Sequence, residues 1–199
     1  MKKFLVAVML VVVAGAGCFA LSACNKRNPD QITRFGETLE EAESFEVICT
    51  METPISGFRY TFKVDGDKTY ESGFMDSSPV YTEKIGSTIY TYTLRGDTWV
   101  KTSAPVFATD EEEGAEEYLP IFDGSNFVYS KEEKAFVLKE DAAILWSGME
   151  FVTLEIVLGK NSCDLSGKVM SEGMLLDVEL EFKNLNTTEI VLPEAVEWY

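Results

Sequence analysis

The chain has 199 residues with 34 acidic against 17 basic side chains, a net charge of −17 at neutral pH. That balance excludes nucleic-acid binding, which needs a basic footprint over phosphates, and argues against broad electrostatic contact with anionic headgroups. Histidine is absent, which removes Ser-His-Asp and Cys-His catalysis, His-ligated zinc and imidazole pH switching.

The first predicted element is a leader. Lys2 and Lys3 precede an apolar run from Phe4 to Ala23, which ends in Leu21-Ser22-Ala23-Cys24. A charged start, an apolar middle and a small-residue cleavage site make a secretory signal. Leu21, Ser22, Ala23 and Cys24 resemble the lipobox of bacterial lipoproteins. The resemblance implies cleavage after Ala23 and a diacylglyceryl group with palmitate-like chains on Cys24. One acyl chain binds a bilayer only marginally, whereas two or three anchor it. Gly15-Ala16-Gly17-Cys18 is a poorer match, because Gly15 stands where such sites carry a branched apolar residue. The alternative is an uncleaved spanning helix, for which about 20 apolar residues suffice. The expected organisation is a signal peptide at 1–23, a lipidated tether at 24–29 and one extracytoplasmic β-rich domain at 30–199. Loss of Lys2 and Lys3 makes the mature chain more acidic still, which keeps it soluble and self-repelling.

Asn28-Pro29-Asp30-Gln31 predicts a helix start, with Asn28 as cap, Pro29 in the first turn and Gln31 closing a capping box. Ile32, Phe35, Leu39 and Ala42 then recur at helical spacing. From Phe45 the period becomes two. Phe45, Val47, Cys49 and Met51 form one strand face, and Phe58, Tyr60, Phe62 and Val64 another. Asp65-Gly66-Asp67-Lys68 turns the chain into Thr69–Met75, followed by strands near Val80–Ile85, Thr88–Leu94 and Thr98–Thr102. The stretch from Thr109 to Glu117, with six acids and no base at 110–117, predicts a solvated loop. A short helix near Tyr118–Phe122, a hairpin of Phe127–Ser130 with Ala135–Lys139, and a brief helix over Asp141–Trp146 come next. Strands at Phe151–Leu158, Cys163–Met170 and Leu175–Phe182 follow, with a last one near Glu189–Leu192 before Pro193.

The expected fold is therefore α+β and mostly β: a curved antiparallel sheet of about eleven strands. It would form a half-open barrel whose concave face is covered by the N-terminal helix and short inserted helices. This layout, with the meander through Trp99 and the segments Phe182-Lys183-Asn184-Leu185-Asn186 and Ile190-Val191-Leu192-Pro193-Glu194, resembles the lipoprotein-localisation carrier (LolA-like) superfamily. The resemblance implies a curved sheet around an apolar cavity for lipid or acyl chains, recognised by shape.

Aromatic residues crowd the first sheet, and Phe58, Tyr60, Phe62, Tyr90, Tyr92 and Trp99 are candidates to line such a cavity. Core filling and β-propensity explain the same residues without a ligand. Cys49 and Cys163 point inward and either form a disulfide or remain two buried thiols. The acids of 110–117 lack the spacing of a calcium loop, so no metal and no cofactor is expected. No nucleophile elbow, phosphate loop or Ser-x-x-Lys motif stands at a convincing position. The functional expectation is a non-enzymatic lipoprotein of the bacterial envelope, held on the membrane by its acyl chains and binding a lipid or other apolar ligand. The alternative is a surface interaction or structural module with a solid core. A glycan-acting enzyme with paired carboxylates comes third.

Overall fold

The computed structural model describes residues 27–53, 56–73, 78–106 and 118–198. Cys24, the lipobox, Phe74, Met75 and the acidic run 110–117 lie outside the described residues.

A single α-helix, α1 (Asp30–Glu40), opens the described chain. Asn28 accepts from the Asp30 N–H at 3.3 Å through its side chain, and Gln31 does not close a capping box. Ile32 and Leu39 are fully buried, so the apolar stripe faces the sheet as its spacing demands.

Thirteen strands follow. A first meander comprises β1 (Ser44–Glu52), β2 (Gly57–Asp65), β3 (Lys68–Ser72), β4 (Val80–Ile85), β5 (Thr88–Arg95) and β6 (Thr98–Pro105). Two 3₁₀ turns, Leu119–Phe122 and Gly124–Asn126, separate it from a second set. That set is β7 (Phe127–Ser130), β8 (Ala135–Leu138), β9 (Leu145–Trp146), β10 (Met149–Leu158), β11 (Cys163–Ser171) and β12 (Met174–Lys183). A last strand, β13 (Val196–Glu197), pairs parallel to β6. The sheet order is β13-β6-β5-β4-β3-β2-β1-β12-β11-β10-β8-β7, with β9 on β10. The two meanders thus join back to back through β1 and β12, and the curved sheet stays unclosed as a half-open barrel.

The core sits under that junction. Val47 pairs with Phe182 and Cys49 with Leu180, placing β1 and β12 side chains on one face. On that face Phe182 meets Phe122 at 5.3 Å and Tyr118 at 5.2 Å, ring centre to ring centre. Phe35 of α1 packs on the same two rings, 5.2 Å from Phe122 and 6.2 Å from Phe182. Gly36 permits the close approach: a Cβ there would lie 2.7 Å from Phe122 Cβ. The opposite face of the junction is polar, with Lys63 paired to Glu46 at 3.4 Å and Lys183 to Glu181.

Two predicted elements differ. Asp141–Trp146 is not a helix; Leu145–Trp146 is β9, folded back on Met149–Glu150. Ser147 (φ 48°) and Gly148 (φ 76°) form the reversal, a positive-φ pair that suits a tight hairpin. Trp146 consequently stacks on Phe151, its ring 6.1 Å away. Glu189–Leu192 is not paired into the sheet either. Ile190 is instead pinned by its N–H, which donates to the Asp65 carboxylate at 3.0 Å, while strand pairing resumes at Val196.

Candidate functional site

A groove of about 980 Å³ opens beside α1. Such a volume falls at the upper end of the roughly 300–1,000 Å³ typical of ligand sites. One bank is the polar flank of the helix. Gln31, Arg34 and Thr38 lie three and four residues apart and therefore share one side, over roughly 10 Å of axis. The opposite bank is the end of the β10–β11 hairpin, Val157 to Asn161. The floor is apolar: Phe35, Phe136, Ile156, Leu158 and Leu185. Phe136, Ile156 and Leu185 are buried, so the floor is the edge of the core itself.

Both ends of the groove are tied down. At the N-terminal end Arg27 donates to the Tyr129 hydroxyl at 2.6 Å and to the Lys134 carbonyl at 3.1 Å. Its guanidinium also lies 5.0 Å from the Tyr129 ring centre. At the other end the Asn186 side chain accepts from the Glu43 N–H at 3.0 Å, and the Asn186 N–H donates to the Ser44 carbonyl. Asn186 takes φ 58°, a left-handed conformation that asparagine tolerates better than most residues.

The charge of the lining runs against that of the chain. Arg27, Arg34, Lys134 and Lys160 border the groove, and among the described residues no acidic side chain does. None of these four forms an ion pair among the described residues. An acidic protein thus places four cations around one apolar-floored opening.

The sequence-predicted cavity residues do not line this groove, and they do not share a face. Phe58, Tyr60 and Phe62 pair with Met51, Cys49 and Val47, on the helix-bearing side. Phe62 is buried against Phe45, Tyr60 is half-buried and Phe58 is 37% exposed. Tyr90, Tyr92 and Trp99 emerge on the reverse side. There Lys63, Tyr70, Tyr81, Tyr92 and Lys101 stand in register across five neighbouring strands. Tyr70 and Tyr81 meet edge to face at 4.9 Å, and Trp99 meets Tyr81 at 5.3 Å. Lys101 Nζ lies 4.0 Å above the Tyr90 ring, and the Tyr92 hydroxyl donates to Glu83. These rings interlock as a ladder across the strands.

Cys49 and Cys163 are both buried and are not joined to each other. Cys49 pairs with Leu180 and Cys163 with Phe182, so β12 runs between them. Two strand spacings, with a further two-residue offset along β12, put their Cα atoms more than about 10 Å apart, beyond the roughly 7 Å reach of a disulfide. Burial pushes the Cys163 thiol well above its ordinary range.

Aromatic density along the sequence does not mark the groove, because its residues come from four separate segments. One signal was present: Arg34 is the only basic residue in Asp30–Glu40 and lies on the flank shared by Gln31 and Thr38.

No protein-family model and no curated protein matches the chain. Among solved structures, a DUF1329 family protein from Desulfovibrio piger aligns over 83% of this chain and 95% of its own, at 7% identity and a TM-score of 0.20. So slight a likeness carries no argument, and the functional reading rests on this chain's own geometry.

Proposed function

We propose that this protein is a non-enzymatic lipoprotein of the bacterial envelope. Acylated Cys24 anchors it outside the cytoplasm, and the groove beside α1 takes up the apolar part of a lipid or related ligand. The observation that carries this reading is the floor of the groove, where core side chains line an opening of about 980 Å³. Its position adds support. Arg27 is fixed at one end of the groove, and three residues of chain reach at most about 11 Å. An acylated Cys24 would therefore hold that end close to the bilayer, where lipid is at hand.

The competing reading is a solid-cored interaction module. The interlocked Tyr70, Tyr81 and Trp99 favour it for the β3–β6 wing, where side chains pack on each other. It leaves the open apolar floor under α1 without a purpose.

Mass spectrometry of the native protein and of its organic-solvent extract tests the proposal. The expected result is a polypeptide beginning at a diacylated Cys24 and about one equivalent of released lipid. A chain with residue 24 unmodified and a clean extract would overturn it.

A further inference from the structure

The groove has a property that an apolar cavity alone does not require. We propose that it selects an amphiphile with an anionic head, the chain lying on the apolar floor and the head between Arg34 on α1 and Lys160 on the β10–β11 hairpin. This rests on the reading of the groove as a lipid site and adds the class of headgroup.

Three observations converge on it. Arg27, Arg34, Lys134 and Lys160 all border one opening, in a chain where acids outnumber bases two to one, 34 against 17. Several cations of the sheet are paired with acids, Lys63 with Glu46, Arg59 with Glu181 and Lys168 with Asp177, and Arg95 and Lys101 lie over aromatic rings. The groove cations have no such partners among the described residues. The remaining polar side chains of the lining are uncharged; of these Gln31, Asn161, Asn186 and Thr187 can donate to a carboxylate or phosphate oxygen without repelling it, while the Thr38 hydroxyl donates to the Arg34 carbonyl. Charge therefore lies along the banks and hydrocarbon along the bottom, the distribution an anionic amphiphile presents in reverse. Arg27 is partly committed to Tyr129 and the Lys134 carbonyl. Arg34 and Lys160 are exposed and uncommitted, so they contact the head.

Exposed charge pairs are each modest and are screened by salt. Two acting on one head should give roughly tenfold discrimination at low ionic strength, fading as salt is added. The experiment titrates the whole protein with a fluorescent long-chain fatty acid and with its methyl ester, which has the same chain but no charge. The expected result is roughly tenfold tighter binding of the carboxylate in low salt. The double variant Arg34→Gln with Lys160→Gln should bind both probes alike, at the affinity of the ester. Both substitutions are at exposed positions, and an unchanged thermal melt verifies the fold.

Equal binding of acid and ester by the native protein would overturn the headgroup assignment and leave the lipid site standing. Failure of both probes to bind would remove the lipid site and this inference together. Inorganic phosphate alone serves as the third arm. Full displacement of the fatty acid by phosphate at comparable concentration would mean a simple anion site and would also overturn the proposal.

Discussion

Cys163, Tyr81 and Lys101 share a thermodynamic sign despite their different chemistry. Burial raises the Cys163 thiol well above 9.0 and the Tyr81 hydroxyl above 10.0; for Lys101, normally at 10.5, the hydrogen bond to Tyr92 leads the upward shift. In each case the folded chain holds its proton more tightly than the unfolded chain does. The stabilisation is therefore complete below the ordinary titration range and is lost as pH climbs through the raised one. Melting temperature should stay level through neutral pH and fall once pH exceeds about 9. Cys163 and Tyr81 should dominate the slope, since Lys101 is open to solvent and screened. Cys163→Ala should flatten the early part of that fall, as read by circular dichroism melts across an alkaline series. A melt that rises with pH over the same interval would contradict the burial of this thiol. That Cys163 points inward was legible from strand parity. Its distance from Cys49 was not, because nothing local says that β12 inserts between them.

Elements were legible where one rule governed the segment. The alternation of Leu176, Val178, Leu180 and Phe182 specifies β12, and all four are buried. Gly66, Gly86 and Gly96 sit at positive φ where turn residues separate strands. Reading failed where two periods fit one short run. Ala142, Ile144, Leu145 and Trp146 suit a helical face, yet the Ser147–Gly148 reversal commits Leu145 and Trp146 to a hairpin. A two-residue strand offers too little pattern to outvote four apolar residues. The helix itself depends on a contact that its own sequence hardly advertises, the meeting of Gly36 with Phe122. Gly36→Val would force a branched side chain into that contact and should destabilise the protein by roughly 1–3 kcal/mol. Equilibrium urea unfolding measures this, and an unchanged or higher midpoint would show that α1 does not dock there.

At the scale of the molecule, curvature was legible and the site was not. Many short strands with one apolar face must curl and be covered, which yields the half-open barrel. Which aromatic residues share a face depends on register carried from strand to strand, and each turn between strands can reverse it. Register from β2 to β6 places Tyr90, Tyr92 and Trp99 opposite Phe62, although sequence density had grouped them. The groove arises one level higher, where a helix flank, two hairpin ends and the turn after β12 converge. Global charge does not reveal local charge: −17 for the chain coexists with four basic side chains at one opening.

The groove's role is tested most directly by filling it. Thr38 lies exposed on the helical bank with its hydroxyl satisfied by the Arg34 carbonyl at 2.8 Å. Thr38→Trp would project an indole over the apolar floor while leaving the buried stripe of α1 untouched. Titration with the fluorescent fatty acid, alongside a thermal melt, should show binding abolished and melting unchanged. Binding of native strength and stoichiometry in this variant would mean that the opening beside α1 does not hold the ligand.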